Sequence, residues 1–179
     1  MRVITGSARG VRLETPEGLQ TRPTTDRVKE GLFNIIQFDI PGRTVLDLFA
    51  GSGQLGIEAL SRGAAQAVLV DFGKDALSAI KQNLKKTKFQ NQSLVVQSDA
   101  LDYIRRCGRK FDLIFLDPPY AGEILENTLQ TISEIDILSD SGIIICERPL
   151  EKENLPELAG LSRSKDYKYG KTLITLYRK

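Results

Sequence analysis

Apolar and polar residues alternate along most of the chain in the rhythm of short strands separated by helices. From residue 44 onward, short apolar runs alternate with longer stretches in which apolar residues recur at helical spacing. The predicted strands are residues 44–48, 67–71, 93–97, 111–116 and 143–146, and the predicted helices are residues 54–62, 75–86, 100–106 and 123–132. This alternation predicts a parallel sheet with helices on both faces.

Both ends of the chain depart from this rhythm. Near the N-terminus, two short alternating runs surround a turn bounded by Gly6 and Gly10, which predicts a small hairpin, and Thr24 or Thr25 can cap the helix that follows. At the other end, residues 162–169 and 171–179 are strand-like runs too close together for a crossover helix, so they predict an antiparallel hairpin at a sheet edge.

These elements together predict an α/β fold, doubly wound, with a mostly parallel seven-stranded sheet and a C-terminal antiparallel hairpin. Residues 1–40 are predicted to form an N-terminal extension of hairpin and helix, and residues 41–179 the main domain.

The composition excludes several kinds of chemistry. The chain has no histidine, which removes Ser-His-Asp hydrolysis and histidine-ligated metal sites. Its two cysteines have no metal-site or disulfide spacing, so no metal is expected. No apolar run is long enough to span a bilayer and the N-terminus lacks the apolar core of a signal peptide, so we expect a cytoplasmic protein without a membrane partner.

Charge is distributed unevenly along the chain. The net charge is only +2, but basic residues cluster near both ends, while acidic residues dominate between 123 and 157. A basic face opposite an acidic one suits a polyanionic partner such as nucleic acid.

The stretch around the first predicted strand, VLDLFAGSGQLG, has the pattern of a nucleotide-cofactor site. Gly51 and Gly53 permit a tight turn, and the helix that starts at Gln54 would direct free N–H groups at a ligand. Gly51, Gly53 and Gly56 also fit the dinucleotide fingerprint, with Asp71 about 20 residues further on. This stretch alone therefore leaves two cofactor classes open.

Four carboxylates stand at or just beyond the carboxyl ends of predicted strands: Asp47, Asp71, Asp99 and Asp117. Open parallel sheets bind ligands beyond the carboxyl ends of their strands, so one crevice would collect all four.

A second informative stretch is Asp117-Pro118-Pro119-Tyr120, directly after an apolar strand. The prolines have fixed φ angles and no N–H, so the carbonyl of Pro118 would be held stiffly beside the carboxylate of Asp117. These two acceptors can take both hydrogen bonds of the exocyclic amine of a base, while Tyr120 stacks on its face.

DLFAGSGQLG, VLVD, QSDA and DPPY, in this order, resemble the S-adenosylmethionine-dependent methyltransferases with a Rossmann-like fold, and DPPY is similar to the (D/N)PP(Y/F) motif of amino-group methylators. The flanking RVITGSARG, TRPTTDRVKEGLFN and KYGKTLITLY resemble the RsmD family, which methylates the exocyclic N2 of a guanine in small-subunit (16S) ribosomal RNA. The resemblance runs from Arg2 to Tyr177, although Gln54 stands where relatives often have alanine.

The resemblance implies S-adenosylmethionine as the cofactor, and as the partner ribosomal RNA, within the small subunit or its assembly intermediate. The residues implied to bind the cofactor are Asp47, Phe49, Gly51 and Gly53 at its methionine end, Asp71 at the ribose hydroxyls, and Phe72, Asp99 and Ala100 at the adenine. The residues implied to hold the target base are Asp117, Pro118, Pro119 and Tyr120. The candidate RNA-binding residues are Arg2, Arg9, Arg12, Arg22, Thr24 and Arg27.

Three alternatives stay open. A methyltransferase acting on the N6 amine of adenine in DNA would share DPPY but not the RPTTDR stretch, and a noncatalytic RNA-binding module could keep the fold. An NAD-dependent oxidoreductase would explain the glycines, and Tyr167 and Lys171 have the Y-x-x-x-K spacing of one dehydrogenase group. That pair needs a helix, whereas Gly170 and the β-branched residues after it predict a turn and a strand.

Overall fold

A central sheet organises the chain in the computed structural model, which describes residues 1–16, 25–119, 123–151 and 155–179. Within these residues the strands are β1 Thr44–Asp47, β2 Gln66–Asp71, β3 Ser93–Gln97, β4 Phe111–Leu116, β5 Leu138–Pro149, β6 Ser162–Arg163, β7 Tyr167–Tyr169 and β8 Thr172–Arg178. The helices are α1 Asp26–Ile35, α2 Gln54–Ser61, α3 Lys74–Thr87, α4 Ala100–Arg106 and α5 Ile124–Ile135, with a short 3₁₀ turn at Gln90–Gln92.

The sheet order is β3-β2-β1-β4-β5-β8-β6, and β7 also pairs with β8. Strands β1 to β5 are mutually parallel, whereas β8 runs antiparallel to β5 and to both β6 and β7. This confirms the predicted α/β fold with a mostly parallel sheet and a C-terminal antiparallel hairpin.

The described residues form eight strands rather than the predicted seven, because the first arm of the C-terminal hairpin is interrupted. Between β6 and β7, the carboxylate of Asp166 accepts hydrogen bonds from the buried guanidinium of Arg148 at 2.6 Å and from the hydroxyl of Thr175 at 2.5 Å. The interrupted arm occupies one position in the sheet, so the sheet has seven positions across its width.

Strand β5 is much longer than the predicted 143–146. Its first residues, Leu138 to Gly142, are partly polar and lack an apolar run, yet they continue the strand after a register shift against Phe111 and Leu113 of β4. The apolar pattern therefore indicated only the part of β5 that is buried on both faces.

The pleat divides the buried residues of the sheet between two faces, since successive side chains of a strand point to opposite sides. Val45 and Leu113 belong to one buried cluster, together with apolar residues of α1, α2 and α3. Leu46 and Ile114 belong to the other, with apolar residues of α4 and α5. Helices thus cover both faces, as predicted.

The N-terminal hairpin is held both by backbone hydrogen bonds between its arms, such as Val3 N–H to the Val11 carbonyl at 3.0 Å and Leu13 N–H to the Met1 carbonyl at 3.1 Å, and by α2. The arms pair antiparallel through a bridge between Arg2 and Arg12, which confirms the predicted hairpin, although this pairing is too short to make two regular strands. The N–H groups of Ile4 and Thr5 donate instead to the carboxylate of Glu58 on α2, at 2.7 and 3.0 Å. A side chain from a helix that covers the main sheet thus replaces a strand partner.

The hairpin and α1 contribute to the same core as the sheet. Val3, Leu32 and Phe33 are buried in one cluster with Leu113, and Phe33 and Phe115 form a tilted ring pair with centroids 5.6 Å apart. Whether residues 1–40 make up a domain of their own stays a prediction.

Among the helices of the described residues, none combines the length and the apolar character that crossing a bilayer requires.

Candidate active site

Three of the predicted carboxylates end or follow neighbouring strands at one edge of the sheet. Asp47 is the last residue of β1, Asp71 is the last residue of β2, and Asp117 follows β4 directly. Asp99 lies two residues beyond β3 and forms the N-cap of α4, where one carboxylate oxygen accepts from the N–H groups of Leu101 and Asp102. The structure therefore places all four at the carboxyl ends of β3, β2, β1 and β4, where the strand pattern predicted them.

Asp47 is a buried carboxyl group with one oxygen left without a hydrogen bond among the described residues. It is 1% exposed, its Oδ2 accepts from the backbone N–H of Gly56 at 3.0 Å, and its Oδ1 is buried without a hydrogen-bond partner within the described structure. The pKa of Asp47 is raised from 3.8 to about 7, mainly by burial; the Gly56 bond lowers it, and the charges of Asp117 and Asp71 add to the increase. A cationic N–H donor placed beside Oδ1 would relieve both deficits.

The glycine turn between β1 and α2 brings backbone close to Asp71. The N–H of Gly51 donates to one oxygen of Asp71 at 2.8 Å, and the N–H of Gly73 donates to the other at 2.9 Å. Gly53 has a φ of +78°, and a Cβ there would lie 2.9 Å from Leu69, so the turn requires glycine at this position.

Gly51 has a φ of +55°, and a Cβ built there would meet no atom within 4 Å. The turn therefore opens onto free space on the side of Gly51. Close by, the Oε1 atom of Gln54, the first residue of α2, is also buried without a hydrogen-bond partner within the described structure. Two unpartnered acceptors, from Asp47 and Gln54, thus accompany the turn.

Two aromatic residues follow strands at the same edge. Phe72, next to Asp71, is 78% exposed, which leaves its ring available to a planar ligand. Phe49 is half-buried and packs against the cluster that contains α4, while Ala100 is the buried first residue of α4. An exposed phenylalanine beside a row of strand-end carboxylates fits a ligand-binding surface.

The Asp-Pro-Pro segment presents a half-buried carboxylate and a stiff backbone beside the turn. Asp117 is partly exposed, Pro118 is buried and Pro119 is exposed. Asp117 lies close enough to Asp47 for its charge to affect the pKa of that group. Tyr120 lies outside the described residues.

The candidate RNA-binding arginines gather on the hairpin and the first turn of α1. Arg2, Arg9, Arg12 and Arg27 are all exposed, and the Nε of Arg2 donates to Asp26 at 3.2 Å. Arg2 and Arg9 also line a cavity of about 360 Å³ between the hairpin and α1. Arg22 and Thr24 lie outside the described residues, whereas Thr25 caps α1, accepting from the N–H of Val28.

A buried ion-pair network joins this arginine surface to α2, and the sequence pattern did not indicate it. The side chains of Lys29 and Glu58 are fully buried with 3.5 Å between the ammonium and a carboxylate oxygen, and Arg62 donates to the other oxygen at 2.8 Å. Burial lowers the pKa of Lys29, while the charge of Glu58 raises it. The only sequence signal was an acidic residue inside the otherwise apolar helix α2.

Asn83 is a second residue that the sequence pattern did not single out. Its Oδ1 accepts from the N–H of Glu14 at 2.7 Å, and its Nδ2 donates to the carbonyls of Glu14 and Ser52 at 2.9 and 2.8 Å. Asn83 thus joins Glu14, at the end of the hairpin, to Ser52 in the glycine turn. Its signal was an amide on the apolar stripe of α3.

Two other chemistries find no support at the site. Among the described residues, no three or more histidine, cysteine, aspartate or glutamate side chains form a group that could hold a metal ion. Tyr167 lies in β7 and Lys171 in the turn before β8, so the pair does not share a helix. This confirms the prediction of a turn and a strand there and removes the dehydrogenase pair.

Comparison with solved structures defines the class of protein first. The structure of yhhF from Escherichia coli, described as a methyltransferase, superposes with a TM-score of 0.91 at 34% identity, covering 100% of this chain and 97% of that one. A protein of Thermus thermophilus superposes with a TM-score of 0.84 at 28% identity, covering 98% of both chains. With the glycine turn and the strand-end carboxylates, this is the Rossmann-like methyltransferase fold.

Sequence comparison then defines the family. The family model described as Conserved hypothetical protein 95 matches residues 1–178. The Bacillus subtilis protein YlbH is 42% identical, covering 100% of this chain and 99% of its own length. Ribosomal RNA small subunit methyltransferase D of Escherichia coli K12 is 36% identical, covering 100% and 90%. The chain belongs to this family, the RsmD family of ribosomal RNA methyltransferases, as its motifs predicted.

Proposed function

We propose that this chain transfers a methyl group from S-adenosylmethionine to the exocyclic N2 amine of a guanine in small-subunit ribosomal RNA. The relatives from Escherichia coli and Haemophilus influenzae are named as methyltransferases of that RNA. The observation that carries the proposal is the position of Asp117, which stands one residue beyond β4 and near enough to Asp47 to influence its pKa. A base held by Asp117 would therefore lie next to the proposed cofactor pocket.

The residues at the turn fit the methionine end of the proposed cofactor. S-adenosylmethionine carries an ammonium group, and the unpartnered oxygens of Asp47 and Gln54 are acceptors for N–H donors. The free space beside Gly51 would admit a ligand against the backbone. The ribose hydroxyls would reach Asp71, which keeps lone pairs beyond its bonds to Gly51 and Gly73.

At the adenine end, the exposed ring of Phe72 would stack on the base, and Asp99 with Ala100, the first residue of α4, would contact its nitrogens. When bound, S-adenosylmethionine would supply an electrophilic methyl group on a positively charged sulfur. All other chemistry falls to the residues of this chain, and among them Asp117 and Pro118 would orient the target base.

Asp117 and the carbonyl of Pro118 would accept the two N–H bonds of the guanine amine. The lone pair of this nitrogen is delocalised into the ring, which makes the amine a poor nucleophile. The two hydrogen bonds would favour a pyramidal nitrogen whose lone pair points at the cofactor pocket. Alignment of this kind can supply roughly 7 to 11 kcal/mol of a reaction barrier. The carboxylate of Asp117 would also take the proton that the amine gives up when the methyl group is transferred.

The amine is accessible only after the base leaves its stack, which costs a few kcal/mol. We assign part of the compensation to Tyr120, since stacking on an aromatic side chain contributes about 1 to 3 kcal/mol. The arginines Arg2, Arg9, Arg12 and Arg27, with Arg22 and Thr24, would bind the phosphates around the target.

The test is single-turnover transfer of labelled methyl groups to naked small-subunit RNA, free small subunits and duplex DNA, followed by digestion to nucleosides. We expect N2-methylguanosine from RNA. Asp117→Ala should lower the rate at least about 100-fold with unchanged cofactor affinity, whereas Asp117→Asn, which keeps a carbonyl acceptor, should retain more activity. Asp140→Ala, at a 97% exposed carboxylate at the opposite edge of the sheet, is the matched control.

Near-normal turnover by Asp117→Ala would contradict the role given to that residue. N6-methyladenine in DNA as the product would instead establish the adenine methyltransferase.

A further inference from the structure

Glu147 is a buried carboxylate at the site edge to which the proposed mechanism assigns no role. It lies near the carboxyl end of β5 and is only 4% exposed. Burying a carboxylate is costly, and most buried glutamates serve a partner or a ligand. Its place in the sheet indicates which ligand group it faces.

The strand register puts Glu147 beside Asp117. Leu116 of β4 is the Cα partner of Cys146 of β5, and these two residues immediately precede Asp117 and Glu147. Neighbouring strands lie about 4.8 Å apart, so the two residues stand one strand spacing from each other at the same edge.

Alternation of side chains puts both carboxylates on one face. Phe115 and Ile145 lie in the buried cluster with α1, α2 and α3, and Asp117 and Glu147 are each two residues further along the chain. Asp47 stands two residues beyond Val45 of the same cluster. The carboxyl ends of β1, β4 and β5 therefore present three acidic groups toward one side.

When ionised, a row of carboxylates accepts hydrogen bonds and donates none. Each carboxylate has about four lone-pair sites, so the contacts that it already makes leave room for a ligand. The nucleobase edge that suits such a row carries adjacent donors. Guanine presents N1–H directly beside its N2 amine. Adenine presents the unprotonated N1, an acceptor, beside its N6 amine, and a carboxylate facing that lone pair is repelled.

We infer that Glu147 selects guanine over adenine by accepting the N1–H of the base whose amine Asp117 and Pro118 hold. The inference rests on the proposed function, because it takes guanine N2 as the reacting amine. It names the group that separates this activity from methylation of adenine, which uses a similar DPPY motif.

The test uses two RNA substrates that differ at the target base, which is first located by mapping the methylated nucleoside made by the wild type. One substrate carries guanine there and the other 2-aminopurine, which has the same exocyclic amine but no proton on N1 and no O6. We expect the wild type to prefer guanine by at least about 100-fold in single-turnover rate, since sites built to bond an N–H reject analogues that lack it.

Glu147→Gln is the informative variant because it has the same shape and its amide can donate to an unprotonated N1. It should reduce the preference for guanine at least about tenfold relative to wild type. The missing O6 of 2-aminopurine affects wild type and variant equally. The guanine preference of the wild type divided by that of the variant therefore isolates the contact at N1. Glu151→Gln, at an exposed glutamate four residues further on, is the matched control and should keep the wild-type preference.

The outcomes separate the two proposals. If the wild type makes no N2-methylguanosine, the proposed function fails. If it does, but methylates 2-aminopurine as fast as guanine, the inference about Glu147 is wrong whether or not the variant folds. A purely structural glutamate would lower the thermal midpoint of Glu147→Gln and leave the ratio of the two rates unchanged, which would also overturn the inference.

Discussion

The buried carboxyl of Asp47 makes the stability of the ligand-free protein depend on pH, and Asp47→Asn should remove that dependence. Burial raises the pKa of Asp47 from 3.8 to about 7, with contributions from the charges of Asp117 and Asp71. The folded state therefore keeps a proton that the unfolded state releases above about pH 4. The contribution of this group to the free energy of unfolding is therefore fully present below about pH 4 and is lost as the pH rises to about 7.

The magnitude follows from the two pKa values. The two pKa values differ by about 3, and each pKa unit corresponds to about 1.36 kcal/mol, so the ionised group costs roughly 4 kcal/mol of folding free energy at pH 8. Asparagine keeps an acceptor for the Gly56 N–H but leaves a buried amide N–H₂, which costs about 1–3 kcal/mol. Asp47→Asn should therefore stabilise the protein by about 1–3 kcal/mol at pH 8 and not at pH 4.

The assay is urea unfolding without ligand at pH 4 and pH 8. Asp112→Asn provides a control of opposite sign: burial raises the pKa of Asp112, but bonds from Thr44, Ser139 and Arg43 lower it overall, so the asparagine variant should lose stability at pH 8. An Asp47→Asn variant that is equally stable relative to wild type at both pH values would refute the reasoning. The same variant should bind S-adenosylmethionine, the proposed cofactor, at least about tenfold more weakly, because the amide has no negative charge to attract the ammonium group.

Two further predictions concern the N-terminal extension. Glu58→Ala leaves the ammonium of Lys29 buried without the carboxylate that pairs with it, so the free energy of unfolding should fall by about 3–5 kcal/mol. A loss under about 1 kcal/mol in urea unfolding would show that the network is solvated. RNA affinity should fall steeply with salt, and Arg2→Ala and Arg9→Ala should each reduce the slope of log affinity against log salt by about 1; a flat salt dependence of the wild type would argue against phosphate binding by these arginines.

Where turn residues and charges mark the ends of an element, the sequence was sufficient to predict its bounds. Strands β3 and β4 and helix α4 begin and end at the predicted residues, because each is bounded by turn residues and charges. The pattern failed where pairing is supplied by groups distant in sequence. Glu58 satisfies Ile4 and Thr5 from 53 or more positions away, so the alternation of the N-terminal arms predicted longer strands than the structure forms.

The candidate site was predictable to the extent that it depends on strand ends. Asp47 and Asp117 are recognisable because each follows an apolar run. Asn83 and Glu147 are not, since their importance comes from which elements pack together: Asn83 is one amide on a long helix, and Glu147 is the residue that follows a buried run in the fifth strand. Only the register of β4 against β5 brings Glu147 beside Asp117.

The interruption between β6 and β7 has a consequence for how this molecule avoids associating with copies of itself. A continuous outer strand would present a row of unpaired N–H and C=O groups to which another chain could add. Here the outer position beside β8 is filled by pieces of two and three residues, and Asp166 between them turns inward to the buried Arg148. The salt bridge between Asp166 and Arg148 thus interrupts the outer strand. A second chain then finds no long edge to pair with, which protects the molecule against aggregation.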